Sequence, residues 1–275
     1  MVSKKILEFN KICKDIKEIK IQGARNIAKK ALYAYHINPT PAAMRKLKQL
    51  RPTEPMLMNV LHMAEQGEDY DEILAHFDEA QQKINHEVFK HINNGDVVMT
   101  ICHSTNVTHS LIYAWNHGKR FEVYNLETRP LFQGRKTARE LSKAKIPVTT
   151  FVDSAMGVAI SKEQGTKHVT KIFVGADALM KKGVANKIGS EVLAQIAKNE
   201  KVPFYVIADS WKYSPKAVKL EMRNFHEVWA DLPKSSKIKV DNPAFELIKR
   251  KWISGIFTDI GYMKYKTFLR KIRIK

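Results

Sequence analysis

The spacing of apolar residues changes at Asn93-Asn94-Gly95, and that change restricts the chain to few architectures. Before it, Ile6, Leu7, Phe9, Ile12, Cys13, Ile16 and Ile19 recur at helical spacings behind Ser3, an N-cap residue type. The same period continues over 24–36, 41–50, 56–65 and 69–93, the last carrying Ile73, Leu74, Phe77, Ile84, Val88, Phe89 and Ile92. Asn-Asn-Gly is a stop signal. After it, β-branched runs stand at 97–101, 121–126, 147–152, 171–175 and 203–208, separated by helical stretches. Further strands are expected at 228–230 and 254–258. Strands alternating with helices imply right-handed crossovers and a parallel sheet. The expected fold is α/β: a helical N-terminal domain over 1–94, then a Rossmann-like domain with a mostly parallel sheet over 95–275. No internal repeat is visible.

With 44% hydrophobic residues, the chain can bury a substantial core. No apolar run approaches the roughly 18 residues of a membrane span, so no membrane partner is expected. The segment MVSKKILEFNKICKDIKEIK is amphipathic and charged, unlike a secretory leader. The two cysteines, Cys13 and Cys102, show no pairing pattern, and a reducing, cytoplasmic setting is expected. Forty-seven Lys and Arg against 28 Asp and Glu give a net charge of +19, which favours phosphorylated metabolites or polyanions. That charge is spread along the chain without any nucleic-acid-binding motif, so nucleic acid is not an expected partner. The tail, 264–275, alternates apolar and basic residues and suits a terminal strand or helix at a subunit contact; RNA contact is its other reading.

Dinucleotide binding is disfavoured. Where the Gly-x-Gly-x-x-Gly turn would follow the first strand, the chain has Thr100-Ile101-Cys102-His103-Ser104-Thr105-Asn106. No Walker-type loop exists, and the 10 histidines show no metal-ligand spacing, so no cofactor or metal is expected.

Open α/β sheets build their sites at the carboxyl ends of strands. Cys102 stands at such an end, where a helix dipole and nearby cations can lower a thiol pKa and yield a base or nucleophile. The other reading is a small buried hydrophobe, which is the expectation for Cys13. Ile172-Phe173-Val174 likewise ends at Gly175-Ala176-Asp177, placing a carboxyl group at a second strand end. A loop holding Gly183 then leads to Asn186-Lys187-Ile188-Gly189 and a helix start, an anion cradle to which Lys187 adds charge. Asp153 ends the third strand, where it either caps a helix or touches ligand. Arg129, in Glu127-Thr128-Arg129-Pro130, is a candidate for bidentate phosphate binding, and Lys212 follows the strand at 203–208. Ordinary surface charge is the alternative for both, and helix capping for Asp177. His103 neighbours Cys102, but adjacent side chains at a strand end point apart.

Taken together, these segments resemble the translation initiation factor 2B alpha/beta/delta superfamily, which includes ribose-1,5-bisphosphate and methylthioribose-1-phosphate isomerases. The resemblance runs from about Gln22 to Gly261. It is carried by Ile21-Gln22-Gly23-Ala24, Arg51-Pro52-Thr53, Thr100-Ile101-Cys102-His103-Ser104, Glu127-Thr128-Arg129-Pro130 with Gln133-Gly134, Gly175-Ala176-Asp177 and Asn186-Lys187-Ile188-Gly189. The superfamily also contains non-catalytic regulatory subunits that bind a nucleotide or sugar phosphate, and these generally lack the Cys/Asp pair. Retention of Cys102 and Asp177 favours catalysis, and Cys102-His103-Ser104 is closer to the ribose-1,5-bisphosphate branch. The resemblance implies an aldose–ketose isomerase converting ribose 1,5-bisphosphate to ribulose 1,5-bisphosphate, a step of nucleotide salvage, without metal or nicotinamide. Cys102 would remove the C2 proton and Asp177 would shuttle a proton among the sugar oxygens. Gln22, Gly23, Ala24, Arg25, Arg51, Asn186, Lys187 and Lys212 would hold the substrate, with Arg129 as a further phosphate partner. Related proteins form homo-oligomers, dimers or hexamers. The chain departs from its relatives at Ile101, where histidine is frequent, at Gln22, where arginine is frequent, and in a shortened 177–186 loop.

Overall fold

The computed structural model describes residues 4–51, 54–233 and 235–272, so Ser3, Pro52, Thr53 and the last three tail residues lie outside the described residues. Five helices come first: α1 (Lys4–Lys17), α2 (Ala24–Ile37), α3 (Pro41–Leu50), α4 (Pro55–Glu65) and α5 (Tyr70–Phe89). Local chemistry sets their starts. Thr40 accepts a hydrogen bond from the Ala43 N–H at 3.2 Å, and Pro41 and Pro55 open α3 and α4, where a missing N–H costs nothing. Asp69 caps α5 by accepting from Asp71 and Glu72. The apolar stripes meet in two clusters, one around Phe9, Ile16, Ala31, Leu47 and Leu61, the other around Leu32, Met56, Val60 and Phe77. The far end of α5 packs elsewhere: Ile84, Val88 and Ile92 lie against Val98, Phe173, Ile207 and Phe257 on one face of the sheet.

The remaining elements are β1 (Val97–Thr100), α6 (Thr105–Asn116), β2 (Glu122–Leu126), α7 (Gln133–Lys143), β3 (Val148–Phe151), α8 (Met156–Ile160), β4 (Lys171–Val174), β5 (Ala178–Met180), β6 (Gly183–Lys187), α9 (Ser190–Asn199), β7 (Phe204–Ile207), β8 (Phe245–Lys249), β9 (Gly255–Thr258), β10 (Gly261–Met263) and α10 (Tyr265–Lys271). The main sheet has the order β10-β9-β7-β4-β1-β2-β3 and is parallel except at β10. Every residue of β1 and β4 is buried, which explains their continuous apolar runs. From β1 the chain moves outward through β2 and β3, then returns to place β4 on the other side of β1. The crevice at the carboxyl ends of β1 and β4 is therefore the topological switch point, where sheets of this kind bind ligands.

Two expectations of local structure are corrected. Residues 228–230 form no strand; Val228 follows a 3₁₀ turn, and Val228 and Trp229 are 37% and 43% exposed with no strand beside them. The segment holding Gly183 is not an open loop but the turn of the hairpin β5–β6, which pairs onward with β8. Gly183 has φ 153°, and a Cβ there would lie 2.0 Å from the Ile248 carbonyl oxygen. Asn186 and Lys187 consequently sit on a strand, opposite Glu246 and Phe245, and the helix starts later, at Ser190. The tail forms a helix, α10, over its described part. Among the described residues no helix is long and apolar enough to cross a membrane.

Gly134 joins α7 to the end of β2. A Cβ there would meet the Leu126 carbonyl oxygen at 1.8 Å, and the Asn125 amide donates to the Gly134 carbonyl at 3.0 Å. Because the obstruction is backbone, Gly134→Ala is expected to destabilise the fold by about 3 kcal/mol, read as a lower midpoint in chemical denaturation. An unchanged midpoint would show that this helix–strand junction is looser than drawn.

Candidate active site

Cys102 follows β1 with φ 68°, a left-handed conformation uncommon outside glycine. Two threonines hold it there. The Cys102 N–H donates to Thr128 Oγ1 at 2.9 Å, and Thr137 Oγ1 donates to the Cys102 carbonyl at 2.8 Å. Thr128, itself at φ 65°, donates from Oγ1 to the Leu126 carbonyl and from its N–H to Asp153 Oδ1 at 2.8 Å. Asp153 also accepts from the Arg129 N–H at 2.6 Å. Its carboxylate braces the turn that braces Cys102, a role sequence spacing did not indicate.

Asp177 follows β4 and starts the hairpin, its N–H donating to the Ala185 carbonyl at 2.9 Å. The neighbouring Gly175 leaves room for Ser104, since a Cβ would stand 2.6 Å from the serine Oγ. Lys212 is buried and donates from Nζ to the Ala176 carbonyl at 2.6 Å. Lys187 Nζ lies 5.2 Å from the centre of the Phe245 ring. The Asn186 amide donates to Ser190 Oγ at 2.9 Å, and Ser190 in turn donates to the Lys187 carbonyl. These contacts aim the strand β6 side chains from below.

Several of these groups line one cavity of about 160 Å³. Its walls include Cys102, Asp177, Gln22, Gly23, Ala24, Arg25, Arg51, Asn186, Lys187 and Lys212. At Gly23, φ 83° turns the chain into α2 and no side chain caps that helix, so its first N–H groups open toward the cavity wall. Arg129 is not brought in. It is exposed, its guanidinium donates to the Val228 carbonyl at 3.2 Å, and it lies over the Phe132 ring. Sequence reasoning missed Glu54, Gln133, Lys136 and Arg223, which also line the cavity. Lys136 had a signal, three residues after Gln133 on the first turn of α7; Arg223, in an irregular segment, had none.

The cations differ in availability. Arg25 is paired with Asp78 and donates to the Phe77 carbonyl at 2.8 Å. Arg51 Nη2 is shared between Glu221, at 2.8 Å, and Glu54, at 3.4 Å. Arg223 is held by Glu227 at 2.6 Å, and Lys136 faces Glu140 at 3.8 Å. Among the described residues, Lys187 and Lys212 are the cavity cations with no carboxylate within 4.0 Å.

Burial pushes the Cys102 thiol up to about 11; Lys187 opposes the shift and the Asp177 charge adds to it. The lowered thiol pKa anticipated from a strand end is therefore corrected: removal from water outweighs the cation. Burial also raises the Asp177 carboxyl, against Lys212, Lys187 and Arg51. His103 is pushed down to about 4 by burial and by Lys136, so the imidazole beside Cys102 is neutral. It meets Thr137 Oγ1 at 3.1 Å.

Among the described residues one group could hold a metal ion: His76, Asp209 and Asp259, with ligand atoms within 4.8 Å of one another. Those carboxylates already accept from the protein. Asp209 takes the Trp211 N–H at 2.9 Å and faces His76 at 3.2 Å; Asp259 takes the Ser210 N–H and hydroxyl. His76 stacks on Trp211 at 3.4 Å, so the group ties α5 to the ends of β7 and β9.

Fold and cavity define an α/β protein with a cation-lined cavity at the switch point of a parallel sheet. The chain belongs to the initiation factor 2 subunit family, which matches residues 41–265. It is 35% identical over 238 residues to the ribose 1,5-bisphosphate isomerase of Archaeoglobus fulgidus, covering 80% of this chain and 74% of that one. It is 32% identical over 304 aligned positions to the protein of the same name from Thermococcus kodakarensis, covering 94% and 91%. Among solved structures, the translation initiation factor eIF-2B of Pyrococcus horikoshii OT3 superposes with a TM-score of 0.80 at 26% identity, covering 93% of this chain and 96% of that one.

Proposed function

We propose that this chain is an aldose–ketose isomerase acting on a phosphorylated ribose, with ribose 1,5-bisphosphate as substrate. The observation that carries the reading is that Cys102 and Asp177, at the ends of adjacent strands β1 and β4, line one cavity with the two unpaired cations Lys187 and Lys212. The relatives named ribose 1,5-bisphosphate isomerase support it.

In this reading Cys102, as thiolate, removes the proton on C2. The C1–C2 double bond forms as the bond from C1 to the ring oxygen breaks, and Asp177 delivers a proton to that oxygen. The resulting enol loses its O2 proton and gains a proton at C1, giving the ketose with the phosphate on C1 intact. Lys187, Lys212 and the N–H groups opening α2 hold phosphate and stabilise negative charge developing beside it. The helical region 1–94 supplies the α2 edge of the cavity, and the region 95–275 supplies the acid–base pair. A homo-oligomer, dimer or hexamer, and a cytoplasmic setting belong to the same proposal.

The test is to incubate the protein with ribose 1,5-bisphosphate and follow ribulose 1,5-bisphosphate by NMR, with methylthioribose 1-phosphate in parallel. Conversion of the bisphosphate is expected. Tight binding without conversion of either sugar would overturn the enzyme reading in favour of a regulatory subunit.

A further inference from the structure

We propose that Glu54 reads a hydroxyl group of the ligand and thereby sets which phosphorylated sugars the cavity accepts; this rests on the reading that the ligand is a sugar phosphate. Glu54 stands just before α4, lines the cavity and is only 4% exposed. It holds the N-cap position of that helix, but its side chain accepts no capping hydrogen bond. One oxygen, Oε1, meets Arg51 Nη2 at 3.4 Å, and Arg51 is already engaged at shorter range by Glu221. The other, Oε2, is buried without a hydrogen-bond partner among the described residues. A buried carboxylate oxygen left without a donor is costly, and such groups persist where a ligand supplies what the protein does not.

Ionised, Glu54 needs a partner that donates a hydrogen bond. Phosphate oxygens accept, and their charge would be repelled by a carboxylate. The donors on a ribose phosphate are its hydroxyls. The cavity thus carries both kinds of recognition, Lys187 and Lys212 for the phosphate and Glu54 Oε2 for a hydroxyl. A site built around such a bond rejects the analogue lacking it, because its own buried group is then left unpaired. The electrostatics agree: burial and the nearby Asp177 hold the Glu54 carboxyl up at about 7, so the protein's own groups compensate its charge poorly.

The test is a binding cycle by calorimetry with ribose 5-phosphate, its 2-deoxy and 3-deoxy analogues and inorganic phosphate, using wild type, Glu54→Gln and Glu54→Ala. Wild type is expected to bind one deoxy analogue about 100-fold more weakly than ribose 5-phosphate. Glu54→Ala is expected to abolish that difference without weakening inorganic phosphate, while Glu54→Gln, which keeps an acceptor oxygen, retains part of it. A folding check comes from pH. Because the folded carboxyl titrates above its free value of 4.5, its penalty builds as pH rises from there to about 7 and is complete above it, so Glu54→Gln should melt higher than wild type above about pH 7. Discrimination that survives Glu54→Ala unchanged overturns the proposal alone. Binding without turnover overturns only the isomerase reading, and failure of wild type to bind any ribose phosphate overturns both.

Discussion

Cys102→Ser is expected to lower kcat on ribose 1,5-bisphosphate by roughly 10³-fold while KM stays within a few-fold. Serine fits the space of cysteine, and the threonine contacts that hold residue 102 run through its backbone N–H and carbonyl, so the scaffold should persist. What is lost is the thiol just after β1, the group proposed as the base. The pH profile makes the assignment sharper. Burial places the thiol at about 11, so at neutral pH the thiolate is a minor form and wild-type kcat/KM should climb with pH for as long as Asp177 keeps the proton it must deliver, then level off. The serine variant should not show that climb. A serine enzyme with wild-type kcat, or with the same alkaline rise, would remove Cys102 from the chemistry.

Asp177→Asn is the second large effect, expected at roughly 10²- to 10³-fold in kcat. Asparagine keeps the shape of the side chain and leaves the Ala185 contact, made by the backbone N–H, in place, but it cannot give a proton to the ring oxygen. Phosphate binding should hold or tighten, because Lys187 and Lys212 lose a neighbouring negative charge. The variant carries a second signature. The Asp177 charge helps raise the Cys102 thiol, so its removal should shift what remains of the alkaline limb to lower pH. A limb that stays put would mean that the two groups do not sense each other.

Much of the fold was readable because the signals were local. Helical spacing before Asn93, β-branched runs after Gly95 and the residues Thr40, Pro41 and Asp69 each act within a few positions, and β1 to β4, β7 and β9 stand where those runs placed them. The misses have non-local causes. The strand β6 exists because it pairs with β8, far along the chain, and nothing within Gly183–Lys187 announces that partner. Val228 and Trp229 have strand-like side chains but no strand to join. The cavity wall was legible at Cys102, Asp177, Lys187 and Lys212, which follow or end strands. Glu54 was invisible because its importance lies in burial without a donor, a property of the packed cavity. The direction of the Cys102 shift was misjudged for the same reason: sequence shows neighbouring charge but not the loss of water.

The most direct test of the account is the fate of the C2 hydrogen. Wild-type protein given ribose 1,5-bisphosphate deuterated at C2, in ordinary water, should form ribulose 1,5-bisphosphate with hydrogen from water at C1, because the label passes through a thiol that exchanges with solvent. Failure to form the ketose, or loss of the C2 deuterium by Cys102→Ser as fast as by wild type, would contradict proton transfer by Cys102.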